Sequence, residues 1–172
     1  MDPHEDFLNS TIGAMDLVYN IARRTVPNDE DARDLVQETY LAAYAAWVKG
    51  RKPDRVEPWL ATICLNLARS SYRRRSHRPR EVPLEGASLI ADSSDPERAA
   101  LASVEAAALR RAMWSLEDAQ RVAITLVDIA GLSTAEAAAA MGTPRGTVLS
   151  RLHRGRRSLA LLLEDQVRER EP

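Results

Sequence analysis

Five arginines, Arg145, Arg151, Arg154, Arg156 and Arg157, fall with His153 in residues 142–163, a stretch without a single carboxylate. Cations gathered this way suit a surface that meets phosphates. The residues around them write two helices and a tight turn. Ser133 can accept from the Glu136 backbone N–H while the Glu136 carboxylate reaches back to the Ser133 N–H, a capping box that starts one helix. Gly142 ends it, Thr143 is suited to cap a second helix, and Pro144 falls at the first helical position, where a missing N–H costs nothing. Ala137, Ala138 and Met141 can then pack against Val148 and Leu152, leaving Arg145, Thr147, Ser150, His153 and Arg154 on the opposite face. A helix-turn-helix with its second helix set for a DNA groove follows from that arrangement, with an ordinary helical hairpin carrying a solvated basic face as the plain alternative.

The rest of the chain has to position such a reader. Its 172 residues are 45% hydrophobic and poor in aromatics, enough for one ordinary domain or two small ones. The net charge of −1 hides segregation: Asp29, Glu30, Asp31, Asp34 and Glu38 gather early, and arginines gather between residues 69 and 80 and again between 145 and 157. Cys64, the single cysteine, rules out an intramolecular disulfide framework and a cysteine zinc site, and lies on an apolar helical stripe as a small core residue. No apolar run approaches membrane-spanning length and the N-terminus, with Asp2, Glu5 and Asp6, lacks a signal peptide's basic start, so a cytoplasmic location is expected. His4, His77 and His153 are scattered, with no metal-ligand spacing, nucleophile constellation or phosphate-cradling glycine loop, so nothing points to an enzyme, a metal or a cofactor.

Helical periodicity runs almost throughout and strand alternation nowhere, which predicts an all-α fold. A first helix is expected over residues 5–25 with Phe7, Leu8, Ile12, Met15, Val18, Tyr19 and Ala22 as its core stripe. A second, capped by Asn28, runs to about residue 47. It turns Ala32, Leu35, Val36, Thr39, Tyr40, Ala43, Tyr44 and Trp47 inward and Asp31, Asp34, Gln37, Glu38 and Leu41 outward. A third, opened by Pro58 and running to about residue 76, buries Trp59, Leu60, Ile63, Cys64 and Leu67. Its outer face carries Asn66, Arg69, Ser70, Arg73 and Arg74, and Tyr72 lies among the arginines as an aromatic able to stack on an unpaired base. Periodicity fails from residue 76 to 96, a loop long enough to read as an interdomain linker. A fourth helix capped by Asp95 and Pro96 and a fifth capped by Ser115 and ending near Gly131 complete, with the helix-turn-helix, a four-helix C-terminal domain. The expected architecture is therefore two small helical domains joined by a flexible linker: residues 1–76, a linker over 77–96, residues 97–164, and a polar tail over 165–172.

Three stretches, DARDLVQETYLAAYAAW (residues 31–47), EPWLATICLNLARSSYRRR (57–75) and LSTAEAAAAMGTPRGTVLSRLHRGRRSL (132–159), together resemble, in order and separation, the signature regions of the extracytoplasmic-function (ECF) group of bacterial sigma-70 factors. The resemblance implies a transcription initiation factor that binds core RNA polymerase and promoter DNA, duplex at the −35 element and single-stranded at the −10 element. On it, Asp31, Asp34, Leu35, Gln37, Glu38 and Leu41 dock on the polymerase core, an acidic face suited to a basic partner helix pair. Asn66, Arg69, Arg73 and Arg74 meet the melted −10 strand, with residues 49–55 as the base-selecting loop. Arg145, Ser150, His153 and Arg154 reach base edges of the −35 element while Thr147, Arg151 and Arg157 hold phosphates or neighbouring helices. The chain departs from the family pattern at Leu149, where arginine is frequent, and at Ser70, where aspartate is common. An anti-sigma partner, of unspecified identity, is implied as well. The competing reading is a conventional repressor or activator that dimerises through its N-terminal helices and binds an operator unaided; it leaves the acidic helix and the second basic helix without a role.

Overall fold

The computed structural model describes residues 2–75 and 96–168, with side chains of residues 72–103 and 167 excepted. Among the described residues every regular element is helical: α1 (Pro3–Thr11), α2 (Met15–Thr25), α3 (Asp29–Trp47), α4 (Val56–Arg75), α5 (Pro96–Ser115), α6 (Asp118–Ile124), α7 (Thr134–Met141) and α8 (Arg145–Arg168). The expected interdomain linker lies outside the described residues.

The expected first helix is broken in two by a 3₁₀ turn, Ile12–Ala14. The Thr11 hydroxyl donates back to the Phe7 carbonyl at 2.8 Å, a bond that bends helices, and Gly13 follows with the poorest propensity short of proline. The Tyr40 hydroxyl donates to the Thr11 carbonyl at 3.1 Å, satisfying an acceptor the break exposes, and burial pushes the Tyr40 phenol up to about 12. The break also moves the buried row to Phe7, Thr11, Ala14, Val18 and Ile21, so the predicted core residues Leu8, Ile12 and Met15 stand exposed.

Asn28 caps α3 as predicted, its Oδ1 accepting from the Asp31 N–H at 2.8 Å, and Asp29, Glu30 and Asp31 in the first turn oppose the positive end of the helix dipole. Ala32, Leu35, Thr39, Ala43 and Trp47 form its buried stripe. Phe7 meets Tyr40, Tyr44 and Trp47 edge-on at 5.3 to 6.3 Å, which fastens α1 to α3, and Trp47 lies 6.2 Å from Trp59 of α4. Helix α4 begins two residues earlier than predicted. Pro58 sits in its first turn, where the missing N–H has no partner to lose.

In the C-terminal half, Ser115 closes α5 rather than capping α6: its hydroxyl donates to the Arg111 carbonyl at 3.0 Å, and Glu117 precedes the first residue of α6. Helix α6 widens into a π turn, Thr125–Ile129, where the Ala130 N–H reaches the Thr125 carbonyl at 2.8 Å. Helices α5, α6 and α7 all pack on α8. The two halves also pack on each other, α4 against α7 and α2 against α6 and the π turn, and their buried residues form one contiguous core from Phe7 to Leu152. No helix among the described residues is long and apolar enough to cross a membrane.

Candidate nucleic-acid interface

The capping box at α7 is complete: the Glu136 N–H donates to Ser133 Oγ at 3.2 Å and the Ser133 N–H donates to Glu136 Oε2 at 2.8 Å. Those bonds, with the Arg55 guanidinium nearby, hold the Glu136 carboxyl below its ordinary value. Gly142 takes φ +63°, which a residue without Cβ adopts freely, so the Gly142 N–H returns to the Ala139 carbonyl (3.2 Å) and the Thr143 N–H to that of Ala138 (3.1 Å). This paired closure turns the chain into α8. The Pro144 carbonyl accepts from the Thr147 and Val148 N–H groups at 3.0 and 3.3 Å, so Pro144 directly precedes the first residue of α8. The hydroxyl of Thr143, predicted as the cap, is buried without a hydrogen-bond partner.

Ala137, Ala138, Met141, Val148 and Leu152 are all buried, as the sequence predicts. A further small residue sets the crossing of α8 over α6. A Cβ on Gly155 would lie 2.9 Å from Ile124 Cδ1 and 3.1 Å from Gln120 Cβ, so only glycine allows this approach without a shift. Nothing in the sequence pattern distinguished Gly155 from a helix-weakening residue.

Of the residues predicted to face the −35 element, Arg145, Ser150, His153, Arg154 and Arg157 are exposed on α8; Thr147 and Arg151 are half-buried. Arg145 Nε donates to Thr134 Oγ1 at 2.8 Å, which ties the start of α8 to the start of α7. Ser150 Oγ donates to the Thr147 carbonyl at 2.9 Å and so keeps its lone pairs for incoming donors. His153 and Arg157 have no hydrogen bond or ion pair among the described residues. Arg156 is occupied instead, its Nε and Nη2 on the two carboxylate oxygens of Asp128 at 2.9 and 2.6 Å, a bidentate pair that raises its pKa. Arg151 lines a cleft of about 440 Å³ between the two halves, with Leu65, Ala68, Arg69, Val122 and Met141.

On α4, Asn66 and Arg69 are exposed, but Arg69 is engaged across the halves, its Nη2 donating to the Met141 carbonyl at 2.8 Å. The side chains of Arg73 and Arg74 lie outside the described residues. In the preceding loop Arg55 is ion-paired with Glu136 of the capping box. Lys52 Nζ lies 2.5 Å from Asp6 and 5.1 Å from the Trp47 ring centroid. The lysine and the Trp47 indole N–H hold the Asp6 carboxyl below its ordinary value. Cys64 is fully buried and its thiol is pushed up to about 12 by burial, as befits a core residue.

On α3, Asp34, Gln37, Glu38 and Leu41 stand outward together, Leu41 being 63% exposed. Leu35 does not join them. It is 4% exposed because it belongs to the same 3–4 row as Ala32 and Thr39, and this corrects its assignment to the docking face. Asp31, half-buried at the helix start, accepts from Asn28 Nδ2 at 2.9 Å within the cap.

Residues 14–78 match Sigma-70 region 2, and residues 106–159 match Sigma-70, region 4. The ECF RNA polymerase sigma factor SigM of Mycobacterium tuberculosis is 36% identical over 147 residues, covering 85% of this chain and 71% of that protein. The chain belongs to the ECF group of the sigma-70 family. The ECF sigma factor SigE of Mycolicibacterium smegmatis is 39% identical over 145 residues, covering 84% of this chain and 56% of SigE. Among solved structures, the Bartonella quintana sigma factor RpoE, crystallised with the anti-sigma factor NepR, superposes with a TM-score of 0.79 at 26% identity over 93% of this chain and 98% of RpoE. As a sigma factor the chain serves transcription initiation with RNA polymerase, and the helix-turn-helix lies within its region 4 match.

The outward placement of most of these residues was legible in the sequence. The burial of Arg121 was not. Almost wholly buried at 3% exposure, this arginine donates from Nε to the Arg24 carbonyl (2.8 Å), from Nη1 to the Leu116 carbonyl (3.2 Å) and from Nη2 to Asp118 (2.6 Å). Its guanidinium carbon also lies 4.1 Å from the Trp114 ring centroid. No periodicity separates such an arginine from a solvated one.

Proposed function

We propose that this sigma factor docks on core RNA polymerase through the outward face of α3, reads a −35 element in the duplex with α8, and captures the melted −10 strand with α4 and the loop before it. The observation that carries the reading is the exposed basic face of α8 on a helix-turn-helix whose cap, glycine stop and apolar seam are all in place. The outward set Asp34, Gln37, Glu38 and Leu41 supplies an acidic surface with an apolar centre, complementary to a basic helical partner. In this reading the protein performs no catalysis. Binding free energy from phosphate contacts and captured bases offsets the few kcal/mol of unstacking per step. Arg69 and Arg55 engage Met141 and Glu136 through one terminal nitrogen each, which leaves the other donors of each guanidinium for the −10 strand. An anti-sigma partner belongs to the same reading, supported by the likeness to RpoE, which was solved with NepR. The site of action is the cytoplasm, where polymerase and promoter meet.

Reconstitution tests this. The purified protein is mixed with core polymerase, co-elution is followed by gel filtration, and transcribed promoters are selected from a random library. Co-elution that weakens about ten-fold or more on charge reversal at Asp34 and Glu38, together with an enriched two-box promoter, is the expected result. Specific duplex binding by the protein alone, with no polymerase association, overturns it in favour of a conventional regulator.

A further inference from the structure

Leu149 is a leucine where the surrounding helix face is polar and basic. It is 47% exposed in the second turn of α8, with Arg145 one turn before it and His153 one turn after it on the same face. Ser150 and Arg154, further round the helix, are also exposed. Leu149 contributes nothing to the seam with α7, which Val148 and Leu152 form at 0% and 2% exposure. A single exposed leucine needs no explanation elsewhere on a surface. Here it lies between Arg145 and His153 in the early turns of the recognition helix, the turns that enter the major groove.

The chemistry available to an isobutyl group in that groove is narrow. Adenine, guanine and cytosine present acceptors and amino donors there, which an apolar side chain would strip of water and leave unpaired; thymine alone adds a methyl group. We propose that Leu149 is a specificity-determining residue that selects thymine at one position of the −35 element by packing on its C5 methyl. The neighbouring cations Arg145 and Arg154 supply charge for phosphates and for guanine edges, so Leu149 adds a preference that they cannot supply. The inference rests on α8 being the −35 reader.

The test isolates one methyl group. Holoenzyme is reconstituted with the full chain, promoters are selected from a random −35 library, and every thymine of the enriched box is replaced singly by deoxyuridine, which removes the methyl and keeps the pairing. With the unmodified protein, one replacement is expected to weaken promoter binding about four-fold, the factor for burying one methyl-sized group. Leu149→Ala, at an exposed position that leaves the α7 seam intact, is expected to bind thymine and deoxyuridine promoters equally and to lose the thymine from its own selected box. An unchanged thermal melt shows that the variant is folded. Equal binding to thymine and deoxyuridine at every −35 position by the unmodified protein overturns the inference and leaves the promoter reading standing. Selection of no two-box promoter at all overturns both.

Discussion

Arg121 shows how one side chain can be a structural hub without any pattern announcing it. Its guanidinium satisfies two carbonyls and one carboxylate while stacked on Trp114, and the Arg24 carbonyl it holds belongs to the other half of the molecule. Removing it leaves the buried Leu116 carbonyl and the part-buried Arg24 carbonyl without their donor. We therefore expect Arg121→Met to lower the unfolding free energy by roughly 2–4 kcal/mol, read from the urea midpoint. Lysine at this position should recover only part of the loss, because a point charge cannot reach three separated acceptors. A methionine variant within 0.5 kcal/mol of the parent, roughly the scatter of surface substitutions, would refute this account. Arg156 makes the useful contrast: its pair with Asp128 is more than half exposed on the arginine side and is expected to matter little.

At the scale of elements, the start of α7 carries two roles on one residue. Glu136 completes the capping box and also meets Arg55 from the other half. Its folded pKa lies below the ordinary 4.5, so the folded state holds its proton less tightly than the unfolded chain does. The stability it contributes is therefore fully present above pH 4.5 and is lost as the pH falls through the lower folded value. Denaturation of the parent and of Glu136→Gln should show a gap at pH 7 that closes as the solution is acidified below 4.5. A gap that widens in acid has the wrong sign. Elsewhere the sequence predicted element types well and their ends less well. The α1–α2 break escaped because Thr11 and Gly13 each tolerate a continuous helix; the Tyr40 hydroxyl on the Thr11 carbonyl, from a residue 29 positions away, helps satisfy the broken end. The α5–α6 boundary shifted because Ser115, a good cap by type, instead bonded back to Arg111.

For the whole molecule, the decisive feature is the packing of α4 on α7. Leu65 and Ala68 are buried at 2% and 9% exposure, and Arg55 and Arg69 both reach α7. Because the buried residues form one contiguous cluster, unfolding is expected as a single calorimetric transition. Ala68→Arg places a long charged chain into that seam, and we expect it to separate the halves, seen as a larger radius of gyration by X-ray scattering and a transition that broadens or splits. A variant with unchanged scattering and an unchanged single transition would show that the seam does not hold the halves together.

By itself the sequence determined the helical class, the capping box and glycine stop of the helix-turn-helix, the outward acidic face of α3 and the basic face of α8. All of these depend on spacing within one element or on bonds between residues a few positions apart. Only the tertiary structure decided that Leu65 and Ala68 are buried, that Arg69 and Arg55 are held by α7, and that Arg121 and Gly155 join elements. Each of those facts depends on what stands opposite a side chain, and residues 72 to 97 positions away supply the partner for Arg69, Arg55 and Arg121 alike. A helix carries its own period in its sequence. It does not carry the identity of the surface that covers it.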